Sequence, residues 1–127
     1  MSSFKKERID LSAPRTELHD LLGLTGAEVS VNTLPAGASV PFVHSHQANE
    51  EIYLVIEGEG RVYLDGGEYP LAKGDCLRVD PACRRCFAAS PQSPVTFLCI
   101  QAKAGSLGSF TMGDGKIEDG AKPSWLK

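Results

Sequence analysis

The chain has 127 residues, 42% hydrophobic and 23% charged, which excludes wholesale disorder and suits one domain that buries roughly 65–70% of its unfolded surface. A formal net charge of −3 and a pI of about 5.6 exclude a basic footprint for nucleic acid or an anionic membrane. The longest apolar runs, Ile52 to Ile56 and Phe97 to Ile100, fall far short of the roughly 20 residues of a membrane helix.

In chain order, residues 1–26 read as a lead-in with a short helix, 27–104 as a barrel and 105–127 as an irregular tail. The first residues, Met1 to Arg8, carry no apolar leader, so a soluble cytoplasmic protein is expected. A short helix is predicted over Pro14 to Gly23. Its Leu18, Leu21 and Leu22 share one stripe, proline opens it, glycine follows its end, and His19 lies off the stripe toward the surface. From Ala27 the apolar period changes to two. Strands are predicted at Glu28–Leu34, Val40–His46, Glu51–Ile56, Arg61–Leu64, Glu68–Leu71, Cys76–Val79, Arg85–Ala88 and Val95–Ala102. Turn signals such as Pro35-Ala-Gly37, Gly58-Glu-Gly60, Asp65-Gly66-Gly67 and Asp80-Pro81 separate them, and the pattern predicts an all-β antiparallel sandwich or barrel. The tail carries scattered Leu107, Phe110, Ile117 and Trp125, expected to dock on the barrel or on a partner subunit.

The four cysteines are Cys76, Cys83, Cys86 and Cys99. Cys76 and Cys99 read as buried small hydrophobes. Cys83-Arg-Arg-Cys86 is a lone C-x-x-C with no second pair to complete a zinc site, so two strand or turn thiols are expected. The two arginines between them are expected to lower the thiol pKa values.

The chemistry lies in the segment from Gly37 to Gly58. His44 and His46 are two apart, so on a strand both imidazoles face one side. After a short turn the next strand opens with Glu50 and Glu51, of which one faces the histidines. Two imidazoles and a carboxylate form a three-ligand set with open positions, suited to Fe(II), Mn, Ni, Co or Zn rather than Mg or Ca. Tyr53 follows on the same face as Glu51. Its hydroxyl is a candidate donor or acid toward substrate, with packing as the alternative role. Phe42, Val55 and Phe87 are the expected pocket walls.

This segment resembles the first motif of the cupin superfamily: a glycine, H-x-H, a glutamate about four residues on, and a glycine about six beyond that. Four residues separate His46 from Glu51 and six separate Glu51 from Gly58, which puts Glu51 at the ligand position and Glu50 outward. Six residues instead of about five separate Gly37 from His44. The resemblance implies a small jelly-roll β-barrel, usually dimeric, with a divalent transition metal held inside by His44, His46 and Glu51.

The family's second motif supplies a histidine as the usual fourth ligand. Here the segment from Gly74 to Phe87 contains no histidine. A gapless count places Arg85 at that position and Phe87 two beyond it, whereas anchoring on Pro81 places Cys86 there. Arginine cannot ligate a metal, but a Cys86 thiolate could. With Arg85 inside, its planar fork is expected to select an anionic substrate, making it a candidate catalytic and substrate-binding residue beside Tyr53. Without metal, Arg85 and Glu51 would neutralise each other inside the barrel. Two functions are thus expected to compete. One is a metal-dependent enzyme, of oxygenase or isomerase/lyase type, on a small anionic metabolite. The other is a non-catalytic ligand-binding or sensing module.

Overall fold

The computed structural model describes residues 3–126. Among them are seven strands: β1 (Arg15–Glu17), β2 (Glu28–Leu34), β3 (Asn49–Leu64), β4 (Gly67–Ala72), β5 (Cys76–Val79), β6 (Arg85–Ala89) and β7 (Val95–Lys103). One short helix, α1 (Leu18–Leu22), and a 3-10 turn at Thr111–Gly113 complete the regular structure. All pairings are antiparallel. One sheet runs β1-β2-β7-β3-β5, the other β4-β3-β6, and β3 belongs to both. The result is the expected small all-β jelly-roll barrel. Among the described residues no helix is long and apolar enough to cross a membrane.

The alternation that marks strands in the sequence also builds the interior. Along β3, Glu51, Tyr53 and Val55 are buried, while Ile52, Leu54 and Ile56 turn the other way. Val95, Phe97 and Cys99 of β7 and Phe87 and Ala89 of β6 meet them in one core. Burying each such Val or Phe stabilises the fold by about 1.5–3 kcal/mol.

Three elements differ from the sequence expectation. Glu51–Ile56 and Arg61–Leu64 are not two strands but parts of the single β3. A register shift between Val55 and Glu57 and the left-handed Gly58 (φ +83°) bend the strand from one sheet into the other. A Cβ on Gly58 would lie 1.9 Å from the Pro94 carbonyl oxygen, so glycine here serves close backbone approach inside a strand rather than a turn. The expected strand Val40–His46 is reduced to isolated bridges, Ser39 with Ala88 and His44 with Arg85. Pro41 offers no N–H and interrupts the ladder between them. The expected helix Pro14–Gly23 shrinks to Leu18–Leu22, and Arg15–Glu17 instead forms β1 against β2. Edge pairing to an existing strand outcompetes a helix too short to stand alone.

The tail does not dock on the barrel: Leu107, Phe110, Met112, Ile117 and Trp125 are all exposed. Cys76 is exposed rather than buried, because alternation in β5 turns Leu77 and Val79 inward. Cys99 is buried as expected. All four cysteines are free thiols. The expected lowering of the Cys83 pKa is reversed. Partial burial pushes it up, the Asp65 carboxylate adds to this, and Arg85 opposes only weakly.

Candidate functional site

Glu51 enters the interior from the start of β3, paired with Val79 of β5 and Gln101 of β7. His44 is fixed opposite Arg85 by a reciprocal pair of backbone hydrogen bonds, and the His46 N–H donates to the Pro81 carbonyl at 2.8 Å. Backbone pairing thus aims two imidazoles from an irregular segment at one carboxylate. His44 Nε2 lies 3.8 Å from Glu51 Oε1, and His46 Nε2 lies 3.3 Å from Glu51 Oε2. One donor atom from each of His44, His46 and Glu51 falls within 4.8 Å of the others. That spacing can enclose a cation with ligand bonds of about 2.0–2.2 Å. The His46 Nε2 and His44 Nδ1 atoms are buried without a hydrogen-bond partner; at His46 Nε2, which faces Glu51, an ion would relieve that orphaning.

Glu51 is only 2% exposed and Arg85 is fully buried. Arg85 Nη1 donates to Glu51 Oε1 at 3.0 Å, while Nη2 donates to the Asp80 carbonyl at 2.6 Å and to that of Pro81 at 3.3 Å. Alternation in β6 places Arg85 inside, and Arg84 outside on Asp65, as in the gapless register. Both arms of the guanidinium are engaged by the protein, so Arg85 orients Glu51. It does not present the open fork expected for an anionic substrate. Cys86 stands outside the ligand cluster. Its Sγ donates to the Val40 carbonyl at 3.3 Å, which removes it as the fourth ligand of this arrangement.

The Tyr53 hydroxyl donates to Glu51 Oε1 at 2.5 Å, and its ring stands 4.3 Å from that of Phe87, which stacks on Phe97 at 4.6 Å. Tyr53 therefore packs and orients Glu51 at once. Sequence reasoning missed Cys99, whose Sγ donates to Glu51 Oε2 at 3.1 Å. The signal was register: Cys99 lies opposite Tyr53, on the same inward face.

Burial pushes the Glu51 carboxyl pKa up, but donation from Tyr53 and Cys99 and the charges of His46 and Arg85 outweigh it and hold the group below its ordinary 4.5. Burial lowers His44 below 6.5, Glu51 offsets only part of this, and Arg85 and His46 add to the lowering. Burial, with Glu51 beside it, pushes the Cys99 thiol up to about 12 and the Tyr53 phenol higher than its usual range. The two donors keep their protons and the carboxylate stays charged.

These groups border a cavity of about 490 Å³. Phe42 and Phe87 line it, and Phe42 is 60% exposed. Val55 is not among its walls and is buried in the core cluster with Tyr53, Phe87 and Phe97. Sequence reasoning also missed three residues of this wall: Arg15, because β1 was read as helix, and Asn32 and Gln101, which lie on strands it had placed but whose facing across the sheet depends on register.

A model of the cupin domain matches residues 30–101. A crystal structure of a cupin protein from Bacteroides fragilis is 52% identical, with a TM-score of 0.91, over 93% of this chain and 99% of that one. A sugar phosphate isomerase of the cupin superfamily from Silicibacter pomeroyi is 28% identical, TM-score 0.63, over 73% and 62%. A predicted oxalate decarboxylase from Thermotoga maritima is 26% identical, TM-score 0.54, over 61% and 64%. An uncharacterised protein of Methanocaldococcus jannaschii is 30% identical over 66 residues, and the chain spans about half the length of that curated relative.

Proposed function

The chain belongs to the cupin family, and from that premise we propose that it is a cytoplasmic metal-dependent enzyme, of oxygenase or isomerase/lyase type, acting on a small anionic metabolite. The observation that carries this reading is the convergence of His44, His46 and Glu51 around a buried His46 Nε2 that has no hydrogen-bond partner. These three residues would hold a divalent transition ion such as Fe, Mn, Ni or Zn. When bound, such an ion supplies Lewis-acid polarisation of a ligand oxygen. Arg85 neutralises and orients Glu51, so the ion's own charge is left to attract an anion. Tyr53 and Cys99 hold the carboxylate in place with protons they retain. Phe42 and Phe87 form an apolar wall that limits water around the ligand. The names of the two enzymes among the similar structures denote anionic substrates, a sugar phosphate and oxalate, which agrees with this charge argument. Free thiols throughout fit a reducing compartment.

The Arg85–Glu51 pair also favours a second reading, a metal-free ligand-binding module in which the guanidinium already satisfies the carboxylate. Elemental analysis of protein purified without chelator separates the two. About one transition-metal ion per chain, lost in a His44→Ala/His46→Ala double variant, supports the enzyme reading. Metal-free protein after growth in metal-replete medium overturns it.

The same proposal includes a homodimer. Val29, Ile52, Leu54, Leu98 and Ile100 alternate with inward residues and lie in adjacent register on the outer face of β2, β7 and β3. A second copy would cover that apolar face.

A further inference from the structure

The cavity wall is unusual in what it leaves unpaired. Its carboxylate and amide oxygens are engaged. Glu51 receives Tyr53, Cys99 and Arg85. Asn32 Oδ1 receives Arg15 Nη1 at 2.8 Å. Gln101 Oε1 receives the Asn49 amide at 3.2 Å. Donors remain. Arg15 Nη2 makes no hydrogen bond among the described residues, and with its oxygen taken, Gln101 keeps its amide NH₂ to offer. A wall that keeps the Arg15 and Gln101 donors while its carboxylate and amide oxygens are spent favours a ligand rich in acceptor oxygens.

Arg15 is built into this wall. β1 pairs it directly with Asn32 in the sheet, on the inward face that also carries buried Ser30. Asn32 is 6% exposed and braces itself by donating from Nδ2 to Ser30 Oγ at 3.0 Å. A buried Ser30–Asn32 relay therefore holds the guanidinium at the cavity edge, where its side chain is 49% exposed. Glu17, 58% exposed, lies 3.5 Å from the Nε edge, a solvent-screened contact that leaves the Nη2 arm open. Arg85, in contrast, has both arms engaged. The cavity, at about 490 Å³, also exceeds what a two-carbon acid fills.

We propose that Arg15, positioned by Asn32, binds a second anionic group of the ligand, so that the substrate class is a small metabolite with two acidic groups rather than one. The inference rests on the anionic-metabolite reading above and narrows it. The second group is a carboxylate or a phosphate, whose oxygens accept a charge-assisted hydrogen bond from the open Nη2 arm.

Calorimetric titration of the purified, metal-loaded full-length protein tests this with two matched pairs of probes. Glutarate is compared with valerate, and 3-phosphoglycerate with glycerate. The expected result is a preference of about tenfold or more for the doubly acidic member of at least one pair, and the favoured pair identifies the second group. Arg15→Gln should abolish that preference by weakening the doubly acidic probe about tenfold more than the singly acidic one. Asn32→Ala, which frees the guanidinium, should reduce it, and Arg15→Lys should retain part of it. Unchanged melting temperatures for the Arg15 variants, which alter a half-exposed edge residue, show that the fold is kept. If wild type binds both members of each pair equally, or if Arg15→Gln leaves the preference intact, the Arg15 assignment falls and the anionic-metabolite reading stands. If none of the four acids binds, that reading falls and takes the assignment with it.

Discussion

Arg85 gives the most demanding test of how the site is held. Arg85→Met removes a fully buried guanidinium but keeps much of its aliphatic volume. It strands Glu51 with only Tyr53 and Cys99 as donors, and takes away the donor to the Asp80 carbonyl. Removing one partner of a buried ion pair costs about 3–5 kcal/mol, because the remaining charge is left uncompensated. For a domain of this size that corresponds to a fall in Tm of roughly 10–20 °C. Adding Glu51→Gln removes the stranded charge while a side-chain oxygen still receives Tyr53. The double variant should therefore be more stable than Arg85→Met alone, by about 1–3 kcal/mol. Urea denaturation of wild type, both single variants and the double, with chelator present throughout, closes the cycle. An Arg85→Met variant within about 1 kcal/mol of wild type, or a double variant whose loss equals the sum of the singles, would refute the argument that Arg85 exists to satisfy Glu51.

Further expectations follow from other residues. His44 has a depressed pKa in the folded chain, so its contribution to stability is complete above its unfolded value of 6.5 and declines as pH falls toward the folded value. Glu51 adds a second loss below 4.5 in the same direction. Urea midpoints of the metal-free protein should therefore fall with acidification below 6.5, and His44→Gln should flatten the upper part of that decline. Gly58→Ala, whose Cβ would overlap the Pro94 carbonyl at 1.9 Å, should cost more than about 3 kcal/mol or prevent folding. Gly66→Ala, at φ +96° with open space around it, should cost only about 1 kcal/mol, and equal melting temperatures for the two would contradict the corner assignment. Light scattering should give twice the 13.6 kDa chain mass, and Ile52→Glu/Leu98→Glu should halve it. A wild-type monomer at micromolar concentration would rule the dimer out.

The site was legible where its signal was local. His44, His46 and Glu51 announce themselves by residue type and spacing, and period-two alternation carries Tyr53 and Arg85 to the inner face. The signal failed where the answer depended on partners distant in sequence. Arg15 looks helical within Pro14–Gly23 and becomes a strand residue only because β2 offers an open edge. The role of Cys99 follows from a register with β3 that no local pattern encodes. Whether the Arg85 fork is open or spent turns on two carbonyls of the Asp80-Pro81 loop. Gly58 reads as a turn because positive φ is the common reason for glycine, whereas contact with Pro94 is decided by the closed barrel.

The continuity of β3 has a kinetic consequence. This one strand pairs with β4, β5, β6 and β7, and β2 joins β3's sheet through β7, with register partners as far apart as Glu28 and Gln101. Such non-local pairings require long loops to close before they are rewarded, which places folding in the millisecond-to-second range of β-rich domains. Glu51 meets Gln101, and His44 meets Arg85, only when those late pairings exist. The ligand set therefore cannot assemble on a partly folded chain. Amide protons around it should exchange through the same global opening, and a bound ion or anion should slow their exchange together with that of the core.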